Sequence, residues 1–157
     1  MNLITFDNVL KNPKEYVADI HLHGFQDVAD GEHVFRNIQP RDSNDEFAQY
    51  ISSLFPSYKV AFNFVRKSPL NQEEPNFIHT DEMMGQITCI LYLSEDAPKE
   101  DGTTIYNEDG SPLFVMYSKF NRMIAFSSDA PHSRNIFENF GEGDKARLIQ
   151  VVFLKSK

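Results

Sequence analysis

Cysteine is almost absent. The chain has one, Cys89, in 157 residues. A single thiol forms no internal disulfide, so the fold must rest on its core, and a reducing compartment is expected. No apolar run reaches the roughly eighteen residues that a membrane helix needs. The opening MNLITFDNVLKNPKEY has no basic start, no continuous apolar run and no small-residue cleavage site, so the expected location is cytoplasmic, with no membrane partner. Clusters of lysine and arginine are also missing. With 15 basic and 23 acidic residues the net charge is −8, and nucleic acid is not an expected partner because its phosphates would be repelled. There are no repeats, no low-complexity tract and no linker, which favours one domain over 1–157.

Core material is plentiful: 41% of the chain is hydrophobic and fourteen residues are phenylalanine. Two helical patterns come first. In NPKEYVADI, Asn12 is a suitable N-cap and Pro13 fits the first helical position. In SNDEFAQYISSLF, Ser43 or Asn44 is the expected cap, Phe47, Ile51 and Leu54 share a helical face, and Pro56 ends the helix. After Pro56 the texture changes to short extended runs: YKVAFNFVR, NFIHT, QITCILYL, TTIYN, PLFVMY, RMIAFSS, HSRNIF and KARLIQVVFL. Turn residues separate them, with a hairpin expected at Asn107–Gly110. The expected fold is mainly β, a sandwich or barrel with a helical flank at about 1–56 and a core at about 57–155.

The chemistry concentrates at FIHTDEMMGQITCILYL. In extended chain, residues two apart face the same way, so His79 and Asp81 aim together while Thr80 and Glu82 turn aside. Such a pair is two-thirds of a two-histidine, one-carboxylate face for Fe(II). His132 is the only histidine downstream and the natural third ligand. Alone, a His-x-Asp pair is commonly just a solvated surface pair.

Two further strands add weight. In QITCILYL, Thr88 and Tyr92 lie on a mostly apolar face, where a hydroxyl and a phenol need partners. In KARLIQVVFL, Arg147 shares a face with Ile149, Val151 and Phe153. A guanidinium there is costly to bury unless it meets an anion such as a carboxylate. Arg134, two residues after His132, is the rival for that anion. A second histidine group, His21, His23 and His33, has no strand pattern to fix it and reads as solvated.

Taken in order, HTD, ITCILYLSED, DGTTIY, FNRMIAFSSDAPHS and KARLIQVVFL resemble segments of the Fe(II)/2-oxoglutarate-dependent dioxygenases, in their prolyl-4-hydroxylase-like branch. The resemblance spans about Phe77 to Leu154. It implies a double-stranded β-helix, the cupin-like jelly roll. It implies Fe(II) on His79, Asp81 and His132, and 2-oxoglutarate as co-substrate. Arg147 and Tyr92 would hold the distal carboxylate, and Thr88 would line the same pocket. The implied reaction consumes O2, releases succinate and CO2, and hydroxylates a C–H bond of a peptide or small molecule. Asp101 stands where the family has a glycine. The tyrosine often found upstream of the His-x-Asp pair has no clear match, and Asn63 or Arg66 occupies that region. The alternatives are a cupin-type metalloprotein that does not use 2-oxoglutarate, and a jelly-roll binding module without catalysis.

Overall fold

The computed structural model describes residues 2–157. In chain order the elements are β1 (Leu3–Phe6), α1 (Pro13–Leu22), β2 (Gln26–Asp30), β3 (His33–Pro40), α2 (Glu46–Leu54), β4 (Tyr58–Ser68), β5 (Ile87–Tyr92), β6 (Gly102–Tyr106), β7 (Pro112–Tyr117), β8 (Arg122–Ser127), β9 (His132–Arg134) and β10 (Arg147–Ser156). A single 3-10 turn at Gly143–Lys145 precedes β10. The strands form two antiparallel sheets. One has seven strands in the order β1-β8-β5-β10-β4-β3-β2, and the other has three in the order β7-β6-β9. This is the jelly roll expected from the sequence. No helix among the described residues is long and apolar enough to cross a membrane.

The central strands β5 and β10 are buried on both faces, which is why they read as continuous apolar runs rather than alternating ones. Cys89, Leu91, Leu148, Val152 and Leu154 point to the helical side, where Ile20, Phe47 and Ile51 cover them. Ile90, Tyr92, Val151 and Phe153 point the other way and pack with Ile105, Ile124 and Phe126 between the sheets. The second layer is where the sheets approach each other and where chemistry can be enclosed.

The flank departs from the purely helical expectation. Three strands lie within its first forty residues, and β1 and the β2–β3 hairpin extend the large sheet at its two edges. Their side chains are mostly exposed, so no clean apolar period marked them. The α1 start at Pro13 is as expected, but the Asn12 side chain makes no capping bond. In α2 the cap is Asp45 rather than Ser43 or Asn44, and its carboxylate accepts from Ala48 N at 2.8 Å.

Asp45 does more than cap. It also accepts from the Tyr16 hydroxyl (3.0 Å) and from Gln150 Nε2 (2.9 Å). Gln150 is fully buried, also donates to Asn63 (2.7 Å), and accepts from Tyr16 (2.6 Å). One carboxylate thus ties both helices to β10. Asp45→Ala removes the cap and leaves buried donors unmatched. It is expected to cost about 2–4 kcal/mol, read as a lower urea midpoint at unchanged slope.

Candidate metal centre

A short stretch of pairing assembles the centre. The segment around His79 makes no regular strand; it forms one antiparallel bridge to β9. His79 N donates to His132 O (3.0 Å) and His132 N to His79 O (2.9 Å). Directly paired residues project to the same side of a sheet, so this bridge sets the two imidazoles side by side with centroids 4.4 Å apart. Asp81, two residues on, is pinned by its N–H to Ser128 O at 2.8 Å. Its carboxylate lies between the rings, with Oδ1 3.4 Å from His79 Nε2 and Oδ2 2.9 Å from His132 Nε2. One donor atom from each residue falls within 4.8 Å of the others.

The tautomers are constrained too. Nδ1 of His79 sits 2.9 Å from the Phe77 carbonyl, and Nδ1 of His132 sits 2.9 Å from the Ala130 carbonyl. A carbonyl only accepts, so each Nδ1 carries a proton, which leaves each Nε2 as the ring nitrogen that faces Asp81 and could bind a metal. The three residues sequence reasoning selected are therefore brought together with their donor atoms converging. Phe126 packs against the His132 ring at 4.8 Å. The two imidazoles differ in access, since the side chain of His132 is 6% exposed and that of His79 37%. The centre is open on the His79 side, where Phe77 and His33 stand in series: Phe77 edges onto His79 at 5.2 Å, and His33 stacks on Phe77 at 5.5 Å.

Without a metal the three side chains satisfy one another. Burial disfavours charge on Asp81, but hydrogen bonds from His132 and His79 outweigh it and hold the carboxyl well below the usual range. For His79, burial opposes the charged form, while the hydrogen bond to Asp81, the Phe77 carbonyl and the Asp81 charge outweigh it and raise its proton affinity above the ordinary 6.5. The His79 contribution to metal-free stability is therefore present below the unfolded value and is lost as pH rises through the higher folded one. That of Asp81 is present above its unfolded value and is lost as pH falls through the folded one. A metal must displace the His79 proton. Affinity for Mn(II), titrated calorimetrically between about pH 6 and 8, is expected to climb with pH and to keep climbing above 6.5.

Beside the centre lies a cluster of buried charges. Arg147, 3% exposed, donates from Nε to Asp101 at 3.1 Å, and Asp101 is 2% exposed. Arg134 donates from Nη1 to Glu74 (2.9 Å) and to Asn139 (2.7 Å). Glu74, whose side chain is 1% exposed, also accepts from Ser68 Oγ (3.0 Å) and Gln72 Nε2 (3.1 Å). Burial, followed by the Arg147 charge, pulls the Arg134 guanidinium down to about 10. Arg66 completes the group, its Nε 3.8 Å from Glu74 and its guanidinium over the Phe35 ring at 5.2 Å. Tyr92 spans the two sheets through a 2.6 Å bond to Thr103, and burial pushes its phenol up to about 12. Thr88 lies on the same face of β5, with its hydroxyl 2.8 Å from Ser128 Oγ.

The other histidines do not converge. His21 is buried 3.6 Å from exposed Asp144, His23 pairs with Asp19 on the surface, and His33 stands against Phe77. Glu74 escaped sequence reasoning. It lies in KSPLNQEEP, which reads as a turn, and only the folded chain shows that one of its two adjacent glutamates is buried.

No family model matches the chain, and no curated protein matches it. Solved structures do. The fold is that of the 2-oxoglutarate/Fe(II) oxygenases. An oxidoreductase of the 2OG-Fe(II) oxygenase family from Burkholderia pseudomallei is similar with TM-score 0.66 and 11% identity, over 97% of this chain and 84% of that one. A Trichoplax adhaerens prolyl hydroxylase, in complex with a peptide of hypoxia inducible factor, gives 0.64 and 16% over 96% and 82%. The α-ketoglutarate-dependent epimerase SnoN of nogalamycin biosynthesis gives 0.65 and 13% over 96% and 76%.

Proposed function

We propose that this protein is a Fe(II)- and 2-oxoglutarate-dependent dioxygenase that hydroxylates a C–H bond of a peptide or small-molecule substrate. The observation that supports it most is the convergence of His79 Nε2, Asp81 and His132 Nε2 on one point. Two neutral imidazole nitrogens and one carboxylate on one face suit Fe(II) and leave positions for other ligands. The donor set fits the ion, since both Nδ1 protons are already committed to carbonyls.

Bound iron with 2-oxoglutarate and O2 supplies the oxidising power for C–H hydroxylation, with succinate and CO2 as co-products. The chain's own residues have separate tasks. His79, Asp81 and His132 hold the ion. Arg147 and Tyr92 face the same space between the sheets and take the distal carboxylate of the co-substrate. Thr88 lines that chamber and, through Ser128, steadies the loop whose carbonyl fixes Asp81. The apolar layer of Ile90, Ile124, Phe126 and Val151 excludes water. The Trichoplax neighbour's peptide complex supports a peptide substrate, with proline as one candidate residue; SnoN indicates that the same fold also supports a different oxidative outcome. The test is to incubate the iron-loaded protein with 2-oxoglutarate and panels of peptides and amino acids. Succinate that depends on iron, together with a substrate mass gain of one oxygen, is expected. Succinate formation that is indifferent to iron or to loss of His79 would refute the assignment.

A further inference from the structure

We propose that Arg66 is a second guanidinium anchor for the dicarboxylate co-substrate, and that the chamber takes one dianion and no further anion, so the primary substrate enters it uncharged. This rests on the dioxygenase reading above. Three observations carry it.

The first is the allocation of donors. Of the three guanidiniums, Arg147 has committed Nε to Asp101, and Arg134 has committed Nη1 to Glu74 and Asn139 and Nη2 to the Glu138 carbonyl, with its Nε alone left unpartnered. Arg66 makes no hydrogen bond through either Nε or Nη2, although both atoms are buried. Its separation of 3.8 Å from Glu74 is an ion-pair distance, too long for a hydrogen bond. Glu74 is itself held by Ser68, Gln72 and Arg134. Buried N–H groups without acceptors are costly, and an incoming carboxylate removes the cost.

The second is position. In the large sheet Arg66 is directly opposite Ile149, which is directly opposite Tyr92. All three therefore project to the same face, and Arg147 lies one pleat along from Ile149. Arg66 thus lies in the same cross-strand row as Tyr92, on the face that Arg147 shares.

The third is charge. Iron(II) with Asp81 carries one net positive charge. Three guanidiniums against Glu74 and Asp101 leave one more. A buried chamber strongly favours neutrality, and one dianion supplies it. An anionic substrate group would reverse the balance. The approach on the His79 side agrees, because the half-exposed side chains there include Phe77, Ile78 and Val34.

The experiment is an anaerobic titration of the Fe(II)-loaded protein with 2-oxoglutarate, followed by the visible chelate band and by calorimetry. Wild type is expected to bind one equivalent. Arg66→Met is expected to weaken 2-oxoglutarate roughly 10- to 100-fold, the worth of one charge-assisted contact, with Fe(II) affinity unchanged. Arg66→Lys, which keeps charge and stem, is expected to lose roughly 3- to 10-fold, and it carries the test if Arg66→Met does not fold. Affinity within about threefold of wild type for Arg66→Met, or undiminished affinity for Arg66→Lys, overturns the anchor. A second bound equivalent overturns the charge balance. A wild type that never develops the band refutes the dioxygenase reading and the anchor with it; a normal wild type beside an unaffected variant refutes the anchor alone.

Discussion

Asp81→Ala is expected to lower iron- and 2-oxoglutarate-dependent turnover by at least about a thousandfold, on the order of 4 kcal/mol of transition-state stabilisation. The carboxylate is the only anion among the three proposed ligands, and it lies between the imidazoles at 3.4 and 2.9 Å. Without it two nitrogens remain, the two-histidine, one-carboxylate face is broken, and the position is open to water or a foreign anion. The fold itself should survive. Asp81 is anchored by its backbone N–H, and both histidines keep their carbonyl bonds to Phe77 and Ala130. The check is succinate formation alongside a thermal melt of the metal-free variant. A variant that still melts cooperatively, even at a lower temperature, and turns over at more than about a tenth of the wild-type rate contradicts the assignment of Asp81 as a ligand.

Asp101→Ala is expected to destabilise the protein by about 3–5 kcal/mol, because it leaves the Arg147 charge buried without its partner. Arg147 and Asp101 side chains are 4% and 2% exposed, with Nε to Oδ1 at 3.1 Å. The pair joins the start of β10 to the turn before β6, where Asp101 is followed by Gly102 at φ +152, and a Cβ on Gly102 would collide with the Met116 carbonyl. The turn is therefore held by its backbone as well as by the ion pair, and the loss should appear as a lower urea midpoint rather than as a change of fold. The double variant Asp101→Leu with Arg147→Met should recover much of the stability, since it replaces a buried ion pair with apolar volume. It should not recover 2-oxoglutarate binding. Stability lost by the double variant to the same degree as by Asp101→Ala would mean that the pair itself, and not the orphaned charge, carries the effect.

The sequence made parts of this site legible for identifiable reasons. His79 and Asp81 are two apart, and that spacing has one meaning in extended chain. His132 had no competitor downstream, and the strand RMIAFS that leads to it is strongly apolar on both faces. Tyr92 and Thr88 could be placed on one side of β5 by parity alone. The rest depended on contacts between distant segments. No local pattern shows that Asp101 meets Arg147, 46 residues away, or that Glu74 is buried against Arg134, 60 residues away. The choice between Arg147 and Arg134 could not be made from spacing because both reach the same chamber, along with Arg66. In the flank, β2 and β3 were unreadable because an exposed edge hairpin needs no apolar period.

The account depends most on three side chains holding one ion. Crystals grown with Mn(II) and measured for anomalous scattering test this directly. One peak is predicted, at bonding distance from His79 Nε2, Asp81 and His132 Nε2 together, roughly 2.0–2.3 Å. A metal that leaves this point empty and binds elsewhere, for instance at His21 and Asp144, would contradict it.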